Sequence, residues 1–264
     1  MSRPRFGAIG GNGWLGSALI RAALAGGAIA PGASIVSSRS GNPGGLEGVE
    51  GIALTTDSAA LVQASDVILI AVRPEQLAAL PPMDFSGKLV LSVMAMMPLE
   101  RTAEMLGTAR IIRAMPNAAA EFGQSFTPVF AGAEASAEDR AFAETFFGAS
   151  GLVEWVEDES LIDYLTAMTG AGPAFFAALA AAMERDAVRR GLSPEAARRA
   201  TNQLVKGAAP MLAEAGSSMQ ALVDVFLDYR GTTAAGIVAM QGFGLDRMVR
   251  AMFEAAEERA REGV

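Results

Sequence analysis

The chain has neither cysteine nor histidine among its 264 residues. Without cysteine it can form no disulfide, no thiolate nucleophile and no thiolate metal site. Without histidine it has no Ser-His-Asp triad, no imidazole general base and none of the usual zinc sites. We therefore expect no metal centre, and a reaction that proceeds without a thiol or an imidazole.

A basic face is also missing, because the formal net charge is −8. Nucleic acids and anionic membranes are bound by basic surfaces, so neither is expected as a partner. The apolar runs at residues 67–72 and 89–93 are far shorter than the ~20 residues of a membrane span. The N-terminus enters a glycine-interrupted strand rather than a signal-peptide core. These features predict a cytoplasmic globular protein.

Glycine is abundant, and three glycines near the N-terminus are spaced as in a dinucleotide site. A short apolar strand at residues 6–9 runs into Gly11, Gly13 and Gly16, and a helical pattern follows. Gly11 would permit the tight turn, Gly13 the approach of a pyrophosphate, and Gly16 close packing of helix on strand. The helix N-terminus then favours the pyrophosphate charge. The alternative is a plain glycine turn.

The second predicted strand, residues 33–36, ends in Ser37, Ser38 and Arg39. Sites for NAD place a carboxylate here to hold the ribose 2′-hydroxyl, whereas an arginine can pair with the 2′-phosphate of NADP. The residues predict NADP as the cofactor, unless Arg39 is only a solvated surface residue. The glycine-rich segment 41–51 is predicted to be a mobile loop beside that phosphate.

Further apolar runs at residues 66–72, 88–93 and 110–113 alternate with helical patterns, and more strands are predicted at 126–130 and 152–156. Such alternation is typical of parallel strands covered on both faces. Ligands of these sheets lie at the carboxyl ends of the strands, which makes Arg73, Ser92 and residues 115–117 candidate site walls. From residue 158 only helical periodicity remains. The predicted fold class is α/β, with a dinucleotide-binding domain of Rossmann type at residues 1–157 and an all-α domain at residues 158–264.

Two features stand out in the helical half. Residues 173–183 are apolar on every side, which predicts a buried helix. A subunit interface would cover this helix, so we expect a homodimer or higher homo-oligomer. The alternative is an ordinary core helix. Near the C-terminus Gly231, Thr232 and Thr233 open another helical pattern. Backbone N–H groups and hydroxyls there could bind the carboxylate of a small substrate, or simply cap the helix.

Five blocks, at residues 9–16, 71–74, 113–117, 169–174 and 231–236, resemble pyrroline-5-carboxylate reductases over essentially the whole chain. The resemblance implies NAD(P)H-dependent reduction of 1-pyrroline-5-carboxylate to proline, between a Rossmann domain and a helical dimerisation domain that interlocks with its twin. It implies that Thr233 is catalytic, bonding the imine nitrogen, and that Gly231 and Thr232 hold the carboxylate, with Arg230 beside them. Together, the resembling blocks and the end of the second strand give as candidate cofactor-binding residues Gly11, Asn12, Gly13, Trp14, Leu15, Gly16, Ser38, Arg39, Ala71, Arg73, Pro74, Met115 and Asn117.

The chain departs from the family pattern just before the threonines, where Asp228, Tyr229 and Arg230 replace the usual Ser-Pro-Gly. An acid in place of that serine would repel a carboxylate, and Arg230 could offset it. Two alternatives therefore stay open: a related two-domain NADP-dependent imine or hydroxy-acid dehydrogenase, and a non-catalytic NADP-binding homologue. Hydroxy-acid enzymes normally use a lysine or histidine as the acid, and only Lys88 and Lys206 are available.

Overall fold

The first part of the chain folds around one eight-stranded sheet, as seen in a computed structural model that describes residues 4–213 and 218–262. The strand order is β3-β2-β1-β4-β5-β6-β7-β8, and all neighbours are parallel except β6 and β7. The strands are β1 (Phe6–Ile9), β2 (Ser34–Ser37), β3 (Ala53–Thr55), β4 (Val67–Ile70), β5 (Leu89–Ser92), β6 (Ile111–Ala114), β7 (Ser125–Ala131) and β8 (Gly151–Trp155). The predicted α/β class is confirmed, with one antiparallel step that the sequence did not reveal.

Helices cover both faces of this sheet because each central strand carries apolar side chains on both sides. Those of β1 and β4 are fully buried in the pattern expected of parallel strands. One face packs on α1 (Trp14–Ala25) and α5 (Ala137–Gly148), and the other on α2 (Ser58–Ala64), α3 (Pro74–Ala78) and α4 (Leu99–Leu106). The chain order reverses between β1 and β4, which is where such sheets bind ligands.

The remaining described helices follow the sheet in sequence. They are α6 (Ser160–Leu165), α7 (Gly172–Arg189), α8 (Pro194–Ala213), α9 (Met219–Asp228), α10 (Thr232–Gly242) and α11 (Leu245–Glu262). By its internal contacts the chain divides into two compact units: the described residues up to Gly170 and from Glu257 on, and Ala171–Ala256. The first unit thus includes α6 as well as the sheet.

A π-helical turn, Thr166–Gly170, joins α6 to α7. Ala171 forms a bend between this turn and α7, within the Gly170-Ala171-Gly172-Pro173 segment, and the residues on either side of it from Ser160 to Arg189 are helical. Among the described residues this stretch alone is long enough and contains an 18-residue segment apolar enough to cross a membrane, with a mean hydropathy of 1.4 over that segment. The expectation that no segment reaches such a length is therefore wrong here. One such helix is weak evidence for a membrane, since core helices of soluble proteins share its length and composition.

Candidate active site

A cleft of about 640 Å³ opens at the carboxyl ends of β1, β2 and β4. Ile9 ends β1, Ser37 ends β2 and Ala71 follows β4, so the cleft lies at the point where the strand order reverses. The residues that line it are Ile9, Gly10, Asn12, Gly13, Ser37, Ser38, Arg39, Thr56, Ser58, Ala71, Val72, Glu75, Gln76, Ala79 and Leu80. Its volume suits a bound small molecule or cofactor.

In the glycine loop between β1 and α1, the tight turn is made by a different glycine from the one that the sequence predicts. The positive φ of the turn, 75°, falls on Gly10 and not on Gly11. Gly11 is required by packing, because a Cβ there would lie 2.6 Å from Ile20 Cδ1 and 2.8 Å from Ala8 Cβ. A Cβ on Gly16 would lie 2.9 Å from the Cα of Gly11, so this glycine allows the close helix contact expected of it.

Gly13 differs from its neighbours because nothing in the protein crowds it. A Cβ at this position would have the carbonyl oxygen of Gly10, 3.5 Å away, as its nearest contact. Gly13 is the N-cap of α1, and no side chain caps that helix or places an acid in its first turn. Gly13 lines the cleft, and the open space beside it at an uncapped helix start fits a pyrophosphate.

The end of β2 supplies one free cation and two hydroxyls with partners. The Ser37 hydroxyl is buried and lies 2.9 Å from the Ser58 hydroxyl, so these two cleft residues are hydrogen-bonded to each other. Ser38 Oγ donates weakly to the Asn42 carbonyl at 3.5 Å. Arg39 is exposed on the cleft wall, and within residues 4–213 and 218–262 its guanidinium has no hydrogen bond or ion pair.

Several predicted cofactor residues do not line this cleft. Leu15 packs against the core, and the half-exposed indole of Trp14 donates from Nε1 to Glu121 Oε2 at 3.0 Å. Arg73 is exposed, and Pro74 begins α3 directly after it. The contacts of these residues with a cofactor remain predictions.

The end of β6 has mainly structural contacts. Met115 and Asn117 are buried. The Asn117 side chain accepts from Ala119 N at 3.0 Å and donates from Nδ2 to the Thr169 carbonyl at 3.1 Å. Asn117 therefore ties this strand end to the π-helical turn, and its predicted position beside the cofactor remains a prediction.

Arg113 strengthens the same connection. Its side chain is 3% exposed and pairs with Glu159 at 2.7 Å and with Asp163 at 3.0 Å. Glu159 also accepts from the backbone N–H of Leu99 at 2.7 Å. Buried charge pairs are costly to break, so this cluster fixes α6 against the end of the sheet.

Four polar cleft residues were missed by sequence reasoning, Thr56, Ser58, Glu75 and Gln76, and the apolar Ala79 and Leu80 were missed as well. Thr56 and Ser58 follow β3, a three-residue strand too short to be recognised by its pattern. Glu75 and Gln76 lie in the first turn of α3, where an acid and a side chain that accepts from Arg73 N favour the helix start. Their position after the predicted strand end at Arg73 was the signal available.

The predicted substrate site lies in the other compact unit, at the start of α10. Gly231 is its N-cap, and no side chain caps the helix or adds an acid to its first turn. Thr232 and Thr233 are exposed, and no hydrogen bond of their hydroxyls occurs among the described residues. Gly231 therefore caps the helix, as the alternative holds, and no threonine hydroxyl of the described residues takes part; the carboxylate site at this helix start stays a prediction.

Arg230 precedes this helix in a left-handed conformation, with φ of 55°. Such a conformation costs a non-glycine residue about 1–2 kcal/mol. The family resemblance gives glycine at this position, so the replacement by arginine introduces strain beside the predicted carboxylate site. Non-glycine strain of this kind clusters at functional sites.

Comparison with known proteins finds two family models that match separate parts of the chain. Residues 5–96 match a family model described as an NADP oxidoreductase, coenzyme F420-dependent, and residues 159–263 match one described as pyrroline-5-carboxylate reductase dimerisation. With the glycine-loop cleft at the reversal of strand order, these matches define a nicotinamide-dependent oxidoreductase that acts on C=N bonds.

The full-length relatives define the class further. The chain is 34% identical to a pyrroline-5-carboxylate reductase of Methanosarcina acetivorans, over 99% of this chain and 97% of that protein. It is 32% identical to one of Pseudomonas aeruginosa with the same coverage. A solved structure of a pyrroline-5-carboxylate reductase from Coxiella burnetii superposes with a TM-score of 0.86, at 27% identity over 99% of this chain and 98% of that one. The chain belongs to the pyrroline-5-carboxylate reductase family.

Proposed function

We propose that this protein reduces 1-pyrroline-5-carboxylate to proline with NADPH, and so serves proline biosynthesis. The observation that carries the proposal is the 34% identity to a named reductase across nearly all of both chains. The cleft and the uncapped start of α10 add local support, because they offer places for a dinucleotide and for a small carboxylate. The absence of histidine is no obstacle, since the carbon of an imine is electrophilic and a hydroxyl can hydrogen-bond its nitrogen as the hydride is added.

The residues of the cleft fit NADP(H). Gly13 leaves room for a pyrophosphate at the start of α1, and Arg39 offers an unpaired cation for a 2′-phosphate. When bound, the reduced nicotinamide supplies the hydride that the imine carbon accepts. The protein binds, orients and shields the reactants.

The substrate contacts are assigned to the start of α10. Thr233 donates a hydrogen bond to the substrate nitrogen, and the N–H groups of Gly231 and Thr232 hold the carboxylate with help from Arg230. Asp228, at the end of α9, is the residue that opposes this assignment. Because the negative charge of Asp228 would oppose a carboxylate, another imine is the alternative natural substrate.

A panel of substrates tests the reaction class. The oxidation of NADPH is followed with pyrroline-5-carboxylate, with other cyclic imines and with keto acids. Preferred turnover of pyrroline-5-carboxylate supports the proposal. Preference for another imine or for a keto acid favours a related dehydrogenase, and NADPH binding without any turnover favours a non-catalytic homologue.

In the Asp228→Ser variant, faster turnover of pyrroline-5-carboxylate is expected, because the opposing charge is removed.

The cofactor assignment predicts a selective effect of Arg39→Asp. The variant should bind NADPH more weakly by about 1.5–3 kcal/mol, because a charge-assisted hydrogen bond is lost. Binding of NADH, which lacks the 2′-phosphate, should change little. Dissociation constants for both cofactors check this, with Arg101→Asp on α4 as a charge-matched control. If the wild-type protein uses NADH and NADPH equally well, the assignment is contradicted.

We also propose that the protein is a homodimer or higher oligomer through residues 158–264, with the domain boundary after residue 157. The helix α7 exposes large apolar side chains in the single chain, among them Phe176, which is 73% exposed. An ordinary core helix would bury them, so a subunit interface is the better account.

We further propose a cytoplasmic location without nucleic-acid or membrane partners, because the net charge is acidic and the apolar strands are short.

Replacement of Phe176 by Glu should give aggregated or insoluble protein. The proposed interface would then bury an unpaired charge, so the subunits would not associate properly and the apolar helix would stay exposed. The exposed Glu195→Gln substitution on α8 serves as a control that should keep the wild-type state. Light scattering at micromolar concentration measures the mass. A monomeric wild type contradicts the proposed interface.

A further inference from the structure

Arg21, on the exposed side of α1, binds backbone rather than an acid. Its Nε donates to the Gly45 carbonyl at 2.7 Å, and its Nη2 donates to the Glu47 carbonyl at 2.6 Å. No carboxylate pairs with Arg21 in the part of the chain that the structure describes. Both strong donors of this side chain therefore hold one short segment, residues 42–47, which we call the covering turn.

The covering turn lies tightly against the beginning of α1. A Cβ at Gly44 would stand 2.6 Å from the Asn12 carbonyl oxygen, and one at Gly45 would collide with the Ser17 side chain. Leu46 is 3% exposed and joins the hydrophobic core. The mobile loop that the sequence predicts at residues 41–51 is thus wrong for this part, because it is anchored by packing and by Arg21.

The covering turn connects two walls of the cleft. Gly45 N donates to the Asn12 carbonyl at 3.0 Å, and Asn12 Nδ2 donates to the Asn42 carbonyl at 3.1 Å. Ser38 Oγ reaches the same Asn42 carbonyl at 3.5 Å. Asn12 belongs to the glycine loop and Ser38 precedes Arg39, and all three line the cleft. The turn therefore bridges the glycine loop, proposed for the pyrophosphate, and the end of β2, proposed for the 2′-phosphate, in addition to the pairing of β1 with β2.

We propose that Arg21 is a positioning residue for the cofactor, acting through the covering turn on Asn12 and Ser38. The inference rests on the proposed use of NADPH and deepens it. Both cofactors span the glycine loop and the end of β2, but NADPH depends more strongly on the second wall, because it adds a 2′-phosphate that Arg39 would pair with. Loss of Arg21 therefore weakens NADPH more than NADH, and it leaves the chemical step unchanged once the cofactor is bound.

The test compares Arg21→Met, which keeps the length and removes the donors, with Arg21→Lys, which restores one cationic donor. Arg101→Met on the opposite face of the sheet is the matched control. For Arg21→Met we expect the NADPH dissociation constant to rise about tenfold and that of NADH less than about threefold, the loss of roughly one charge-assisted bond. The value of kcat at saturating NADPH should stay within about twofold of wild type. Arg21→Lys should recover part of the affinity.

Two results would overturn the inference. One is an Arg21→Met protein that binds both cofactors like wild type. The other is an equal loss for both cofactors together with a lower melting temperature of the cofactor-free protein, which is the result of a purely structural role. If wild type does not prefer NADPH, the proposed cofactor fails by itself. The positioning role is then decided by the NADH dissociation constant, which must rise in Arg21→Met and not in Arg101→Met.

Discussion

Replacement of Thr233 by Val is expected to lower turnover by about 10- to 100-fold, equivalent to about 1.4–2.7 kcal/mol of transition-state stabilisation. Valine keeps the branched shape and removes the hydroxyl, which has no hydrogen bond among the described residues and is exposed at the start of α10. A bond to the substrate nitrogen that strengthens in the transition state is lost. Turnover should therefore fall more than substrate binding does.

The matched control is Thr232→Val, at the preceding position of the same helix start. Thr232 is assigned a role through its backbone N–H, so its variant should keep most of the turnover. Steady-state kinetics with pyrroline-5-carboxylate at saturating NADPH separates kcat from KM. If Thr233→Val turns over like wild type, the reacting nitrogen is not bound at this helix.

Alanine at Gly13 should abolish tight cofactor binding and leave the fold intact. The backbone of Gly13, with φ of −69° and ψ of 168°, suits alanine, and the nearest atom to the new Cβ is 3.5 Å away. Stability should be unchanged or raised by up to about 1 kcal/mol, because the unfolded chain loses freedom. The methyl group occupies the space needed by a pyrophosphate, so the NADPH dissociation constant should rise at least about tenfold.

Alanine at Gly16 gives the opposite result. Its Cβ would lie 2.9 Å from Gly11 Cα and 3.2 Å from Ala71 Cβ, so the protein itself is strained. Overpacking of this kind costs about 1–3 kcal/mol and should lower the melting temperature. Thermal unfolding and NADPH titration of the two variants separate the tasks of the two glycines. Wild-type NADPH affinity in Gly13→Ala would place the dinucleotide elsewhere.

Sequence reasoning worked where the local signal was complete. The apolar run before the glycines predicted Phe6–Ile9 with its observed bounds, and Asp57 and Ser136 cap α2 and α5 by accepting hydrogen bonds from nearby backbone N–H groups. Those signals are local, since they depend on strand burial and on side chains that bond backbone N–H groups a few residues away.

The failures came from interactions between distant parts of the chain. The segment 41–51 looks flexible by its glycines, yet those glycines allow the covering turn to lie against α1, and Arg21 that holds it is more than twenty positions away. The amide of Asn117 holds the Thr169 carbonyl, a partner that the motif at this strand end did not indicate, and its place beside the cofactor stays a prediction. No periodicity or motif encodes such partners, because they depend on how the elements pack.

The most direct test of the account is the stoichiometry of the reaction with purified protein. NADPH and pyrroline-5-carboxylate are mixed, and the NADPH consumed and the proline formed are measured in the same sample. The account predicts one proline for each NADPH, at a rate that falls strongly in Thr233→Val. Consumption of NADPH without proline, or no consumption at all, would contradict it.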